Sequence, residues 1–163
     1  MTSVASKSGV TSFGTPADNQ VTITRVFDAP KHLLYQAYTV PKHLQRWLLG
    51  PEGWTMPVCE MDARAGGSWR YVWRKGDGTE MAMSGLVKEV VPNERVVTTE
   101  RWGPEWPETL NQVEFTESGG RTTVVTTITY PSKEARDAAL KTGMKDGADM
   151  SYARLDQLVR SLA

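Results

Sequence analysis

Between Met56 and Tyr130 the chain turns back on itself about every 10 to 15 residues, and this rhythm restricts its fold more than any single residue does. Turn-forming clusters stand at Ala65-Gly66-Gly67, Lys75-Gly76-Asp77-Gly78, Pro92-Asn93, Gly103-Pro104 and Ser118-Gly119-Gly120. Strand-like segments lie between them, at residues 56–62, 68–74, 80–91, 95–102, 109–117 and 122–130. The β-branched run from Thr122 to Ile128 carries the strongest strand signal, because branched side chains pack well on a pleated surface. Turns this close together join antiparallel strands into a meander.

Helical patterns flank the meander. From Gln20, Val21, Ile23 and Phe27 alternate with Thr22 and Thr24, which predicts one more strand. Asp28-Ala29-Pro30 then opens a helix running to about Thr39, with Asp28 or Ala29 in the capping region. A second short helix starts at Pro41, carries Leu44, Trp47 and Leu48, and ends at Gly50-Pro51. Ser132 is positioned to cap one long final helix reaching about Ser161. Met144, Ala148, Ser151, Leu155, Leu158, Val159 and Leu162 share its apolar face. Residues 1–19, rich in Ser, Thr and Gly, offer too little apolar surface to offset their ordering entropy and read as a flexible tail. The expectation is an α+β fold with a single domain over residues 20–163.

Charge and composition exclude several functions. Nineteen basic and nineteen acidic side chains give zero formal net charge, with no basic run for nucleic acid or an anionic membrane surface. No stretch of about 18 apolar residues predicts a membrane span. No charged-then-apolar leader opens the chain, and Cys59 alone makes neither an internal disulfide nor a multi-thiolate metal site. A reduced, cytoplasmic protein is expected. Six tryptophans stand out, since their large faces need a core, a pocket or an interface.

Their spacing favours a pocket. Trp69, Tyr71 and Trp73 alternate with Arg70, Val72 and Arg74, giving one aromatic and one largely basic face. Met81 and Met83 share a face just before Gly85, where a strand glycine signals a bend or bulge. Val96, Thr98, Glu100 and Trp102 share another face, and Asn111, Val113 and Phe115 continue the set on the following strand. On the final helix, Gly143, Gly147 and Ser151 form a stripe of small residues beside Met144. Interior helix glycine costs about 1 kcal/mol relative to alanine. Either a strand packs closely there, or the stripe leaves room for a ligand. The bland alternative for the aromatics is that they fill the space the glycines leave.

Catalytic signals are sparse. His32 and His43 read as solvated helix residues, and no convergent ligand set suggests a metal or other cofactor. No nucleophile elbow, phosphate loop or dinucleotide fingerprint is present. Cys59 lies mid-strand without an adjacent base and reads as structural, as does the Asp62-x-Arg64-x-Gly66-Gly67 turn. Glu100 is the one candidate acid or base. It faces either inward, where desolvation would raise its pKa, or outward beside an arginine, in which case Arg101 faces the interior.

An ordered set of motifs carries a resemblance over residues 20–162. It comprises Arg25-Val26-Phe27-Asp28-Ala29-Pro30, Trp47, Asp62-x-Arg64-x-Gly66-Gly67-x-Trp69, Gly85, Glu89-Val90-Val91-Pro92-x-Glu94-Arg95, and Gly143-Met144-x-x-Gly147 through Arg154-Leu155. Together they resemble the family of proteins similar to the C-terminal domain of the activator of Hsp90 ATPase, within the START-like (SRPBCC) helix-grip superfamily. The resemblance implies a curved antiparallel sheet of six or seven strands around a long C-terminal helix, with two short helices after strand 1 and a cavity between sheet and helix. The superfamily includes lipid and hormone carriers, cyclases and aromatases, and an Hsp90 co-chaperone domain tied to stress response. Two positions depart from the family pattern: Leu48 and Leu49 follow Trp47 where a second aromatic is frequent, and Ala148 stands where Trp is frequent. The activator's separate N-terminal domain has no counterpart in a 19-residue tail, which argues against Hsp90 as partner.

The expected function is binding of a small apolar or aromatic ligand in an internal cavity. Its lining would be Trp69, Tyr71, Trp73, Met81, Met83, Trp102, Val113, Phe115, Met144, Gly147 and Ser151, with Thr98, Glu100 and Asn111 as the polar groups. Gly103 to Pro107 would form a stiff loop at the mouth, with Trp54 and Trp106 at the rim and Trp47 in the closing helix. The alternatives are a cyclase-like enzyme using Glu100 and an interaction domain of the co-chaperone kind.

Overall fold

The computed structural model describes residues 9–103 and 105–162, so residues 1–8 of the expected tail and Pro104 of the expected mouth loop lie outside the described residues. In chain order the elements are β1 (Thr11–Gly14), β2 (Gln20–Phe27), α1 (Lys31–Thr39), α2 (Pro41–Trp47), β3 (Trp54–Met61), β4 (Ser68–Lys75), β5 (Glu80–Val91), β6 (Arg95–Glu100), β7 (Thr109–Ser118), β8 (Arg121–Thr129), α3 (Lys133–Leu140) and α4 (Met144–Leu162). The strands form one sheet in the order β1-β2-β8-β7-β6-β5-β4-β3, antiparallel throughout. From β3 to β8 it is the meander that the turn spacing predicts.

Three expectations need correction. First, Thr11 to Gly14, assigned to the tail, pair with Thr22 to Arg25 and extend the sheet by an eighth strand among the described residues. The segment is short and polar, so its periodicity is invisible. Its stability comes from the β2 ladder and from Phe13 and Thr11 touching α4. Second, the single final helix is two helices. Gly143 adopts φ +79°, a left-handed conformation open to glycine and strained for other residues, and it separates α3 from α4. Third, His43 is buried rather than solvated, and burial, with Lys42 and Arg46 nearby, lowers its pKa.

The helix caps account for the other boundaries. Ser132 accepts a bond from Ala135 N at 3.0 Å, capping α3 as expected. Pro30, rather than Asp28 or Ala29, is the N-cap of α1, and the Lys31 N–H is satisfied across the fold by Glu117 Oε1 at 2.9 Å.

The inner face of the sheet and the helices enclose the core. At the end covered by α1, α2 and the C-terminal half of α4, packing is dense. Phe27, Leu34, Leu44, Trp47, Phe115, Leu155 and Val159 are all fully buried. Trp47 stacks on Tyr152 at 6.1 Å and donates its Nε1–H to Ala37 O at 2.8 Å. Each such apolar side chain contributes about 1.5–3 kcal/mol of transfer free energy.

The sheet bends at Gly85. Register between β5 and β6 shifts between Val87 and Glu89, and only an isolated bridge, Ser84 to Arg101, continues the pairing beyond it. A Cβ at Gly85 would lie 1.9 Å from Thr99 O. Instead the Trp69 indole crosses the gap and donates to that carbonyl at 3.0 Å. The glycine that signalled a bend is there because a backbone oxygen and a tryptophan occupy the space of its side chain.

β2 also carries an inward arginine. Arg25 is 6% exposed, bonds to Thr11 Oγ1 at 2.8 Å and pairs with Asp149 at 3.3 Å and Asp156 at 3.9 Å on α4. Thr11 Oγ1 itself donates to Asp149 at 2.9 Å, and Lys145 stands 5.5 Å over the Phe13 ring. These contacts fix the N-terminal half of α4 to the β1 edge rather than to the middle of the sheet.

Candidate functional site

Along the inner face, packing loosens from one end of the sheet to the other. Strand alternation decides which residues point there. Trp73 pairs with Met81, Tyr71 with Met83 and Trp69 with Gly85, while Thr98 pairs with Asn111 and Glu100 with Thr109. The expected aromatic face is the buried one: Trp69, Tyr71 and Trp73 are each 4–5% exposed. Glu100 shares the inner face with Val96 and Thr98, which resolves the register, and Arg101 lies on the outer face.

Toward the loop that follows β6 the same face is only half covered. Met81, Glu100, Met144 and Ala148 are half-buried, and Trp102 is 43% exposed. Trp102 lies parallel to Trp73 within 13° at 6.5 Å, and Tyr71 meets Trp73 edge-on at 5.8 Å. Glu100 Oε1 accepts the Trp102 Nε1–H at 2.9 Å. Tyr130 donates to Met144 Sδ at 3.9 Å, bringing the start of α4 to this end. Trp73 Nε1 donates to Leu48 O at 2.7 Å, so the segment after α2 covers the other side. That segment is strapped to α4: Gly50 N donates to Ser151 Oγ at 2.9 Å, and Arg154 donates to Gly50 O at 2.7 Å.

Electrostatics at this end centre on one carboxyl. Burial raises the Glu100 pKa, and hydrogen bonds from Trp102 and Asn111 offset part of the rise. Burial and then the Glu100 charge push the Tyr130 hydroxyl up to about 12, and burial with Cys59 and Glu100 raises Tyr71 as well. Both phenols are therefore neutral donors at pH 7. Cys59 is held as a thiol, pushed up to about 11 by burial and then by Glu60.

The residues named from the sequence divide accordingly. Tyr71, Trp73, Met81, Met83, Thr98, Glu100, Asn111 and Val113 share the inner face of the sheet, Trp102 follows β6, and Met144 begins α4. Trp69 is locked to Thr99 O, and Phe115 packs at the closed end against Tyr35 and Tyr38 at 6.1 and 5.4 Å. Ser151 serves the Gly50 strap. A Cβ at Gly147 would lie 3.6 Å from Pro51 Cδ, so the position faces the strap rather than the sheet, and with Gly143 outside the helix the small-residue stripe dissolves. Trp54 begins β3, half-buried under Lys75, rather than lying in a loop. Trp106 is 39% exposed in the expected rim segment. Sequence reasoning missed Tyr130, although the alternation Val124, Thr126, Ile128 leads straight to it. It also missed Leu48 and Leu49, whose place depends on the strap.

Two grooves lie elsewhere. One of about 400 Å³ follows the bend on the outer face, lined by Glu60, Arg70, Ser84, Leu86, Thr99 and Arg101 among others. Another of about 270 Å³ runs between α2 and α4 beside Arg46 and Arg154. Among the described residues no group of three or more His, Cys, Asp and Glu side chains could hold a metal ion, and no helix is long and apolar enough to cross a membrane.

A curved antiparallel sheet gripping a C-terminal helix, with two short helices after its second strand, defines the helix-grip α+β class. Within it the chain belongs to the family described as activator of Hsp90 ATPase homolog 1-like protein, whose model matches residues 28–160. A solved protein from Rhodobacter sphaeroides is similar over 94% of this chain and 100% of its own, with 27% identity and a TM-score of 0.88. Protein Ms6760 from Mycobacterium smegmatis covers 92% of this chain and 97% of its own at 26% identity, TM-score 0.81. A Silicibacter pomeroyi member at 21% identity shares the fold, with a TM-score of 0.72 over 88% of this chain and 99% of that one. No curated protein matches the chain.

Proposed function

We propose that this chain binds a small apolar or aromatic molecule at the loosely packed end of its inner face. The ligand lies between the Trp73/Trp102 pair and the Met144–Ala148 turn of α4. One observation carries the reading: inner-face side chains pass from fully buried at the α1 end to half-exposed around Glu100, so apolar surface there is left for something else to cover. Glu100, Asn111 and the Tyr71 and Tyr130 hydroxyls supply the few polar groups that orient it. The free, half-buried thiol of Cys59 suits a reducing, cytoplasmic setting.

Ala148 is the residue to alter. It falls on the helix face between Met144, which touches Tyr130, and the core residue Leu155. Ala148→Trp is expected to fill the open end, abolish binding of an apolar fluorescent probe and leave the cooperative unfolding transition intact. Equal probe binding by a folded Ala148→Trp variant removes the reading. A cyclase-like enzyme is the second possibility, favoured by the raised pKa of Glu100, since a general acid works best with a pKa near the working pH. An NMR titration placing the Glu100 pKa at the ordinary glutamate value would eliminate it.

A further inference from the structure

The loosely packed end holds a carboxylate, Glu100. Among the described residues, no Lys, Arg or His side chain pairs with Glu100. Arg101, its neighbour in sequence, sits on the opposite face of the sheet. Arg136, whose charge reaches Tyr130, is engaged by Asp137, Ala17 O and Gln20 O. Among the described residues the groups that hydrogen-bond the carboxyl are neutral donors, Trp102 Nε1 at 2.9 Å and Asn111, and its charge reaches the Tyr71 and Tyr130 phenols.

An aromatic cluster adjoins that charge through Trp102. Trp102 lies parallel to Trp73, and Tyr71 stands perpendicular to Trp73. Ring faces carry the negative end of the aromatic quadrupole and attract organic cations. A carboxylate taken partly out of water without a counter-ion is held at a cost that an incoming cation relieves and a neutral molecule does not. A neutral ligand gains only its apolar contact area; a cationic one of the same shape gains the rings and the carboxylate as well.

Building on the binding site proposed above, we infer that its ligand class is an organic ammonium carried on an aromatic or apolar body. The ammonium sits against Glu100, and the body stacks on the Trp73/Trp102 pair. The carboxylate and the exposed indole then have one role: Trp102 orients Glu100 through its N–H and offers its ring to the ligand.

The test compares 2-phenylethylammonium with 2-phenylethanol, which has the same number of heavy atoms and no charge. Each is titrated at pH 7 by calorimetry into the wild-type chain, Glu100→Gln and Ala148→Trp. The expected result is binding of the ammonium at least about tenfold tighter than the alcohol in wild type. That preference disappears in Glu100→Gln, and both ligands are lost in Ala148→Trp. Equal affinities in wild type, with both lost in Ala148→Trp, overturn the ammonium inference and leave the binding site standing. A preference that survives in Glu100→Gln overturns it too, because the charge would then be read elsewhere. If neither probe binds wild type, the binding site fails and the inference falls with it.

Discussion

The two ends of the inner face are built from the same residue types and behave differently. At the α1 end, Trp47, Tyr38, Phe115 and Tyr152 interlock with centroid distances of 4.9 to 6.1 Å, and Trp47 and Phe115 are no more than 2% exposed. At the other end Trp73 and Trp102 also stack, yet Trp102 keeps 43% of its surface in water. Aromatic content is not what distinguishes core from site. The difference lies in what covers the rings. Two helices and the second half of α4 close one end, while only a loop strap and the first turns of α4 approach the other.

The largest effect should come from the closed end. Trp47→Ala removes a fully buried, stacked and hydrogen-bonded indole and should destabilise the protein by about 3–5 kcal/mol. Chemical denaturation would measure it, and a loss below about 1 kcal/mol would show that this end is not the packed one. Next is Gly85→Ala, whose methyl would collide with the Thr99 carbonyl and displace Trp69. It should cost about 1–3 kcal/mol, read as a lowered melting temperature with quenching or a spectral shift of Trp69. Trp102→Ala at the open end should change stability by less than about 1 kcal/mol, because the ring is largely exposed. A loss as large as that from Trp47→Ala would erase the distinction between the ends.

The smallest effect is a matter of pH. Glu100 is raised above 4.5 in the folded state, so the native protein binds its proton more tightly than the unfolded chain does. That contribution is fully present below pH 4.5 and fades as pH climbs through the higher folded value. Glu100→Gln should therefore gain in melting temperature relative to wild type between pH 4.5 and 7, and show no gain at pH 4. A pH-independent difference would mean that the carboxyl is solvated like any surface glutamate.

Much of this arrangement is readable in the residues. Alternation with a period of two puts Trp69, Tyr71 and Trp73 on one face of their strand, whereas the choice between Glu100 and Arg101 for the interior stays open until the strand pairing settles it. Turn clusters fix the six strands of the meander to within about two residues at each end. The errors cluster where a residue's role depends on something distant. Gly143 and Gly147 look like one helical stripe until the chain breaks at φ +79°. The β1 segment looks like a tail because four polar residues show no pattern, and it becomes a strand only beside β2. His43 looks solvated because its burial comes from tertiary packing of α2, which helix periodicity alone does not show.

Sequence by itself determined the six-strand meander, the two short helices before it, the common face of Trp69, Tyr71 and Trp73, and the family. These follow from local periodicity and turn chemistry, which act over a few residues. Tertiary structure alone decided which end of the inner face is closed, that Phe115 belongs to the core and Trp102 to the surface, and that Glu100 pairs with no cation among the described residues. Alternation says which face a side chain is on, but not how far along that face a helix reaches. That distance is set by the Gly50–Ser151 strap and the Arg25–Asp149 pair, contacts spanning 101 and 124 residues of chain.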